Sequence, residues 1–217
     1  MSESYRPQSR NSVDPDQATA GRLRLHRQTS IKTAALLAGT CAPMSETNNY
    51  AARELLRDGS QVDIRALQPA DEAEMLAAID RTSAQSLQRR FFVMKRHFSD
   101  KERAFFMDVD FKNHVAIVAV AEEAGRKVIV GGGRYIVSEP GRAEMAFVVI
   151  DAWQGRGIGS ILMRHLVKIA GDAGLLELMA EVLPENAAMI KVFGKFGFSP
   201  APRRDPQIVH LVLKFAQ

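Results

Sequence analysis

"VVIDAWQGRGIGS", Val148 to Ser160, runs from an apolar strand pattern into an amphipathic helix through an aromatic, an amide and three glycines at alternate positions, Gly155, Gly157 and Gly159. A strand-to-helix turn needs one glycine or two. Three at every second residue imply a backbone that must come close to something. A dinucleotide fingerprint requires G-x-G-x-x-G, and Ser160 stands where its third glycine belongs. A P-loop ends in Gly-Lys-Ser/Thr, and this loop has no lysine. What fits is an arch of backbone N–H groups from Gln154 to Ser160 at the positive end of the following helix, a geometry suited to a diphosphate. The bland alternative is a tight turn without a ligand.

Outward from the loop, the pattern alternates clearly. Upstream, "HVAIVAV" and "KVIVGGGRYIV" flank "EEAGR" as a hairpin, and "AEMAFVVI" makes the next strand. Downstream, Ile158, Ile161, Leu162, Leu166 and Ile169 share one helical face, with Gly171 and Gly174 at its end. "LLELMAEVL" reads as a buried strand, "ENAAMIKVFGKF" as a helix stopped by Gly197, and "QIVHLVLKF" as a last strand. Nearer the start come the strand "QVDIRAL", a helix with Asp71 as its predicted cap and Met75, Leu76 and Ile79 on it, a helix containing "SLQRRFF", and a third opened by Ser99 with Glu102 three residues on. The predicted order is β, helices, βββ, α, β, α, β.

The chain has 217 residues, 46% of them apolar, enough for one packed domain and an appendage. Its net charge is +4, but residues 1–43 carry six cations against three acids, which leaves +1 for the rest. A nearly neutral body without a basic stripe argues against nucleic acid as a partner. The polar, Ser- and Pro-rich start and the second-beginning look of "MSETNNYAARELL" at Met44 predict that residues 1–43 are a disordered extension, or that the true start lies at Met44. Residues 44–60 read as a helical or irregular lead-in, and 61–217 as the domain. Cys41 is the single cysteine, so an internal disulfide framework is excluded. "IKTAALLAGTCA" is too short and too far from Met1 for a signal peptide, and no apolar run has membrane-spanning length. The expectation is a cytoplasmic protein that meets no membrane. The five histidines show no metal spacing, and no metal is expected.

Gln154-x-x-Gly157-x-Gly159 resembles the Q/R-x-x-G-x-G/A loop of the GNAT acyltransferase superfamily. The resemblance continues through "AEMAFVVIDAWQ" upstream and "PENAAMIKVFGKFGF" downstream, with Asn186, Met189, Gly197 and Phe198 in register, and covers roughly residues 61–215. It implies an α/β (α+β) fold: a mixed, mostly antiparallel, splayed sheet with helices on both faces and acetyl-CoA as acyl donor in the cleft. The backbone of Phe147, Val148 and Val149 is then expected to pair with the pantetheine arm. Gln154, Gly155, Arg156, Gly157, Ile158, Gly159 and Ser160 form the diphosphate loop, and Asn186 stands at the pantetheine side, although an Asn at a helix start is as readily its cap. Within the superfamily, "SLQRRFF" and "AEMAFVVIDAWQGRGIGS" look most like the bacterial protein lysine acetyltransferases that modify acyl-CoA synthetases. A small-molecule amine N-acetyltransferase and a non-catalytic acyl-CoA sensor remain the alternatives.

Acetylating a lysine requires its neutral amine, so a base is needed. Glu144 is the only charge in "AEMAFVVI", and the resemblance implies a glutamate base there; burial near Met145 and Phe147 is expected to raise its pKa. Phe193 stands where many superfamily members carry a tyrosine acid, and Tyr135 is a substitute acid or plain packing. Arg89, Arg90, Phe91 and Phe92 fall where helices shape the acceptor side: core packing is the favoured reading of Phe91 and Phe92, and Arg89 or Arg90 is the candidate to meet an acidic patch beside the target lysine. Gly131–Gly133 leave room for an acceptor or allow a bulge.

Overall fold

A computed structural model describes residues 47–93, 97–202, 205 and 207–216. The expected extension 1–43, Met44 and Cys41 lie outside the described residues. The described residues form one eight-stranded sheet of order β1-β2-β3-β4-β5-β6-β8-β7. In chain order the elements are β1 (Ala51–Leu55), β2 (Gln61–Ala66), α1 (Glu72–Asp80), α2 (Ala84–Phe91), α3 (Asp100–Met107), β3 (His114–Glu123), β4 (Arg126–Glu139), β5 (Arg142–Val149), α4 (Ile158–Asp172), β6 (Glu177–Val182), α5 (Ala187–Lys195), β7 (Ser199–Pro200) and β8 (Val209–Lys214). Every pairing is antiparallel except β5 with β6, which are parallel and joined through α4.

β3 is buried on both faces, which is why it reads as an unbroken apolar run. Val115, Ile117, Ala119 and Ala121 join a large core under α4, where Ile158, Leu162 and Leu166 are at most 1% exposed. Ala116, Val118 and Val120 turn the other way and form a smaller core with Leu67 and Ile129, against which Ala78 of α1 and Met107 of α3 pack. Helices therefore cover both faces. Truncating a fully enclosed leucine such as Leu162 or Leu166 removes about 2–5 kcal/mol.

Three local expectations change. The stretch expected as a helical or irregular lead-in contains the edge strand β1, paired with β2 from Ala51 opposite Arg65 to Leu55 opposite Gln61. Asp71 precedes α1 but caps it with no side-chain hydrogen bond. Its carboxylate instead accepts two bonds from Arg65, at 2.6 and 2.7 Å, and one from the Gln68 amide at 2.8 Å. A charge-assisted guanidinium fork outweighs an amide cap. Gly171 lies inside α4, and the turn after it is made by Gly174 at φ +74°. The capping box of Ser99 and Glu102 is present on both sides. Among the described residues no helix is long and apolar enough to cross a membrane.

Candidate active site

A parting of strands creates the site. β5 and β6 pair only where Arg142, Ala143 and Glu144 face Glu177, Leu178 and Met179. Beyond that point β5 stays with β4 as far as Val149, while β6 stays with β8 as far as Val182. The β5 edge through Phe147, Val148 and Val149 is thereby left with main-chain groups that face no strand.

Glu144 occupies the vertex of this V. In register, Arg134 faces Ala146, so Glu144, Ala146 and Val148 share the face of the sheet that carries Arg134. Met145 and Phe147 are buried in the large core on the other face. Glu144 is exposed. The burial expected from its sequence neighbours does not occur, because adjacent strand residues point to opposite sides.

The loop after β5 is stapled to α2. Asp151 accepts from the Ser83 amide at 2.7 Å, the Ser83 hydroxyl at 2.8 Å and the Ser86 hydroxyl at 3.0 Å. Burial alone would raise the Asp151 carboxyl; these bonds outweigh it and hold the group below the usual carboxylate range. The Gln154 side chain donates to Val149 O at 3.0 Å and to Ser86 Oγ at 3.1 Å. Trp153 is buried and donates to Glu123 at 2.6 Å, and the Arg156 guanidinium lies 4.4 Å over its ring.

The amide arch is narrower than the sequence implied. The Gln154 amide donates to Asp151 O at 3.2 Å and that of Ser160 to Gly157 O at 3.0 Å. The amides of Gly155, Arg156, Gly157, Ile158 and Gly159 have no backbone acceptor among the described residues. The glycines divide the work. Gly155 and Gly157 take φ of +78° and +102°, which side chains resist, whereas Gly159 lies in the first turn of α4 and a Cβ there would meet nothing within 4 Å. Arg57, from the turn between β1 and β2, stands beside Gly157, its Nε 3.9 Å from where a Cβ would be. Its neighbour Asp58 pairs with Arg156 at 3.4 Å. No sequence signal near the loop announces Arg57; only the pairing of β1 with β2 brings it there.

On the sheet face of Glu144 a cleft opens under α1, α2 and α3. Arg90 and Phe91 line it, whereas Arg89 and Phe92 do not. Phe91 packs against Phe98 and Phe106 at ring-centroid distances of 5.1 and 6.0 Å. All of Gly131–Gly133 line the cleft, but their reasons differ: a register shift lies beside Gly131, and a Cβ on Gly133 would come within 2.6 Å of the Phe147 ring. Close packing from behind, not acceptor room, requires the glycine at 133. Arg134, which sequence reasoning passed over, lines the same cleft.

Asn186 caps α5, its Oδ1 accepting from the Met189 amide at 3.3 Å. Phe193 is 2% exposed between Phe147 and Phe198, at 5.9 and 4.9 Å. Tyr135 is buried in the large core, and burial pushes its hydroxyl up to about 12, so it packs rather than donating a proton near neutral pH.

Residues 81–198 match the model of the Acetyltransferase (GNAT) family. An acetyltransferase of Pseudomonas aeruginosa, PA5475, is 32% identical over 162 residues, covering 72% of this chain and 86% of that protein. The acetyltransferase Pat of Mycolicibacterium smegmatis is 31% identical over 147 residues, 65% of this chain and 42% of Pat, so the chain matches less than half of that relative. Among solved structures, the GNAT domain of S. lividans PAT superposes with a TM-score of 0.71 at 30% identity, covering 76% of this chain and 97% of that one.

Proposed function

The chain belongs to the GNAT family of acetyltransferases, and on that premise we propose that it transfers acetyl from acetyl-CoA to a lysine side chain of another protein, with an AMP-forming acyl-CoA synthetase as the favoured acceptor. Acetyl transfer comes with the family. The lysine acceptor rests on the resemblance around "SLQRRFF" and the Glu144 strand, supported by the likeness to Pat and to S. lividans PAT.

The observation that carries the chemistry is Glu144 at the vertex where β5 and β6 part, outside the cleft's lining but on the same sheet face as Ala146 and Val148, which line it. Acetyl-CoA supplies an activated thioester carbonyl. The protein's part is to hold the donor and free the amine. Five amides from Gly155 to Gly159 that have no backbone acceptor among the described residues, at the positive end of a 15-residue helix, fit a diphosphate. Arg57 adds positive charge beside them, while the Arg156 guanidinium is paired with Asp58. The β5 edge at Phe147, Val148 and Val149, where Gln154 occupies only the Val149 carbonyl, fits an extended amide-bearing arm, and the Asn186 side-chain NH2, which its capping bond does not use, is the group that would donate to that arm. Glu144 takes the proton from the lysine ammonium, and the freed lone pair attacks the carbonyl. The thiolate that leaves has a pKa near ambient and takes its proton from water, so Phe193 costs the reaction nothing.

Incubation of the protein with labelled acetyl-CoA, a purified acyl-CoA synthetase and a cell lysate tests this. Label on a synthetase lysine is expected. Label confined to small amines such as spermidine, or found nowhere, overturns the acceptor.

A further inference from the structure

The cleft on the sheet face of Glu144 holds a guanidinium, Arg134, that has no carboxylate partner among the described residues. Arg134 is half-buried in its wall, stacked 4.9 Å from the Phe106 ring centroid. Its Nη1 donates to Phe106 O at 3.2 Å and to His114 Nε2 at 3.1 Å. His114 donates in turn from Nδ1 to Asp108 O at 2.8 Å, which fixes the tautomer with its lone pair toward Arg134. Burial, with the nearby Arg134 charge, pushes His114 down to about 4, so the imidazole is neutral and cancels nothing. Among the described residues no carboxylate lies within ion-pair distance of Arg134, and Nε and Nη2 have no hydrogen-bond partner.

A guanidinium desolvated this far is ordinarily paired. Holding the last turn of α3 through Phe106 O occupies only one of its nitrogens. The second cation of the cleft, Arg90, repels it: burial and Arg90 together push Arg134 down to about 9, which leaves it charged at neutral pH. The rest of the lining is largely apolar, with Leu67, Met75 and Ile79 on one side and Ala146 and Val148 of β5 on the other. One open guanidinium edge matches a carboxylate in two parallel N–H···O bonds. The walls suit a short aliphatic stem.

We propose that this cleft is a carboxylate-binding subsite for the acyl acceptor, in which Arg134 grips the carboxylate, Arg90 adds charge, and the amine is brought toward Glu144. In a protein acceptor the carboxylate is an Asp or Glu beside the target lysine. That source rests on the lysine reading above; the subsite itself does not.

Calorimetry on the full chain with hexanoate and hexanamide tests the subsite without turnover. Hexanoate should bind at least tenfold tighter than hexanamide, and tenfold tighter to the wild type than to Arg134→Gln. Arg90→Gln should weaken hexanoate severalfold and serves if Arg134→Gln does not fold by circular dichroism. Equal affinity for acid and amide, or hexanoate binding untouched by the folded variants, overturns the proposal. Lysine peptides with a nearby Glu or Gln then test the source: KM should be at least tenfold lower for Glu in the wild type and equal for both in Arg134→Gln. Hexanoate binding with the two peptides used alike overturns the assignment to the acceptor. If no protein or peptide is labelled while a carboxylate-bearing small amine is, with the same Arg134 dependence, the lysine reading fails and the subsite stands.

Discussion

Glu144 shows what a residue's strand neighbours can and cannot say about it. Met145 beside it and Phe147 beyond look like an apolar surround in the sequence, yet both point into the large core while Glu144 faces the cleft side and is exposed. A base in that position works by placement rather than by burial. Glu144→Gln should therefore keep acetyl-CoA affinity but lower the single-turnover rate by about a hundredfold or more at pH 7. The deficit should shrink toward pH 10 as solvent deprotonates the lysine itself. Rates across pH 6–10 that match the wild type would leave the chemistry without this base. The glycines of the loop differ in kind. Gly157→Val confounds any binding loss with backbone strain at φ +102°, costing about 1–3 kcal/mol, whereas Gly159→Val enters open space on a helical residue. Gly159→Val should leave the melting temperature near that of the wild type and cut acetyl-CoA affinity at least tenfold by calorimetry, since the side chain would stand where the diphosphate meets the amides.

Among the elements, β1 is the one that local sequence hides. Ala51–Leu55 is "AAREL", a set of good helix formers, and long-range partners override that preference. One partner is β2. The other is α4, whose Arg164 and His165 bond to Glu54 at 2.7 and 2.9 Å, while Tyr50 hydrogen-bonds the other ring nitrogen of His165. Glu54→Gln should cost about 1–3 kcal/mol in urea unfolding by weakening this clasp. It should also weaken acetyl-CoA binding modestly, because the following turn carries Arg57 to Gly157. An unchanged unfolding midpoint would make the clasp incidental. α4 was legible by its helical periodicity, β3 and the β3–β4 hairpin by an apolar run ended by a turn signal, and the glycine loop because its spacing fails every simpler template. The parting of β5 from β6 was expected only through the family resemblance, and the Arg65 claim on Asp71 and the position of Arg134 were not legible at all. Each depends on which strands become neighbours, and "AEMAFVVI" looks the same whether its far edge is paired or open.

At the scale of the whole molecule, the sheet separates a large core under α4 from a smaller one under α1 and α3, and His114 lies at the margin of the second. It is buried at the start of β3, stacks on Phe105 of α3 at 5.4 Å, and joins Asp108 O to Arg134. Those bonds need the neutral ring, because a proton on Nε2 would remove the acceptor and set a cation against the guanidinium. Burial first, then the Arg134 charge, lowers the folded pKa to about 4 from the ordinary 6.5. Below pH 6.5 the unfolded chain takes up a proton at this ring that the folded chain refuses until about pH 4, so stability falls as pH drops through that window and is fully present above it. A difference of this size is worth about 3 kcal/mol. The Asp71 and Asp110 carboxyls, also lowered by hydrogen bonds that outweigh burial, act with the same sign but below their ordinary value of 3.8. The wild type should therefore lose melting temperature steeply between pH 6.5 and 4.5, by about 4–12 °C for a chain of this size. His114→Gln keeps an oxygen that can accept from Arg134 and has no proton to gain. It should be less stable than the wild type at pH 7.5 yet show a markedly flatter profile, and parallel profiles for the two proteins would assign the acid sensitivity of the fold to other groups.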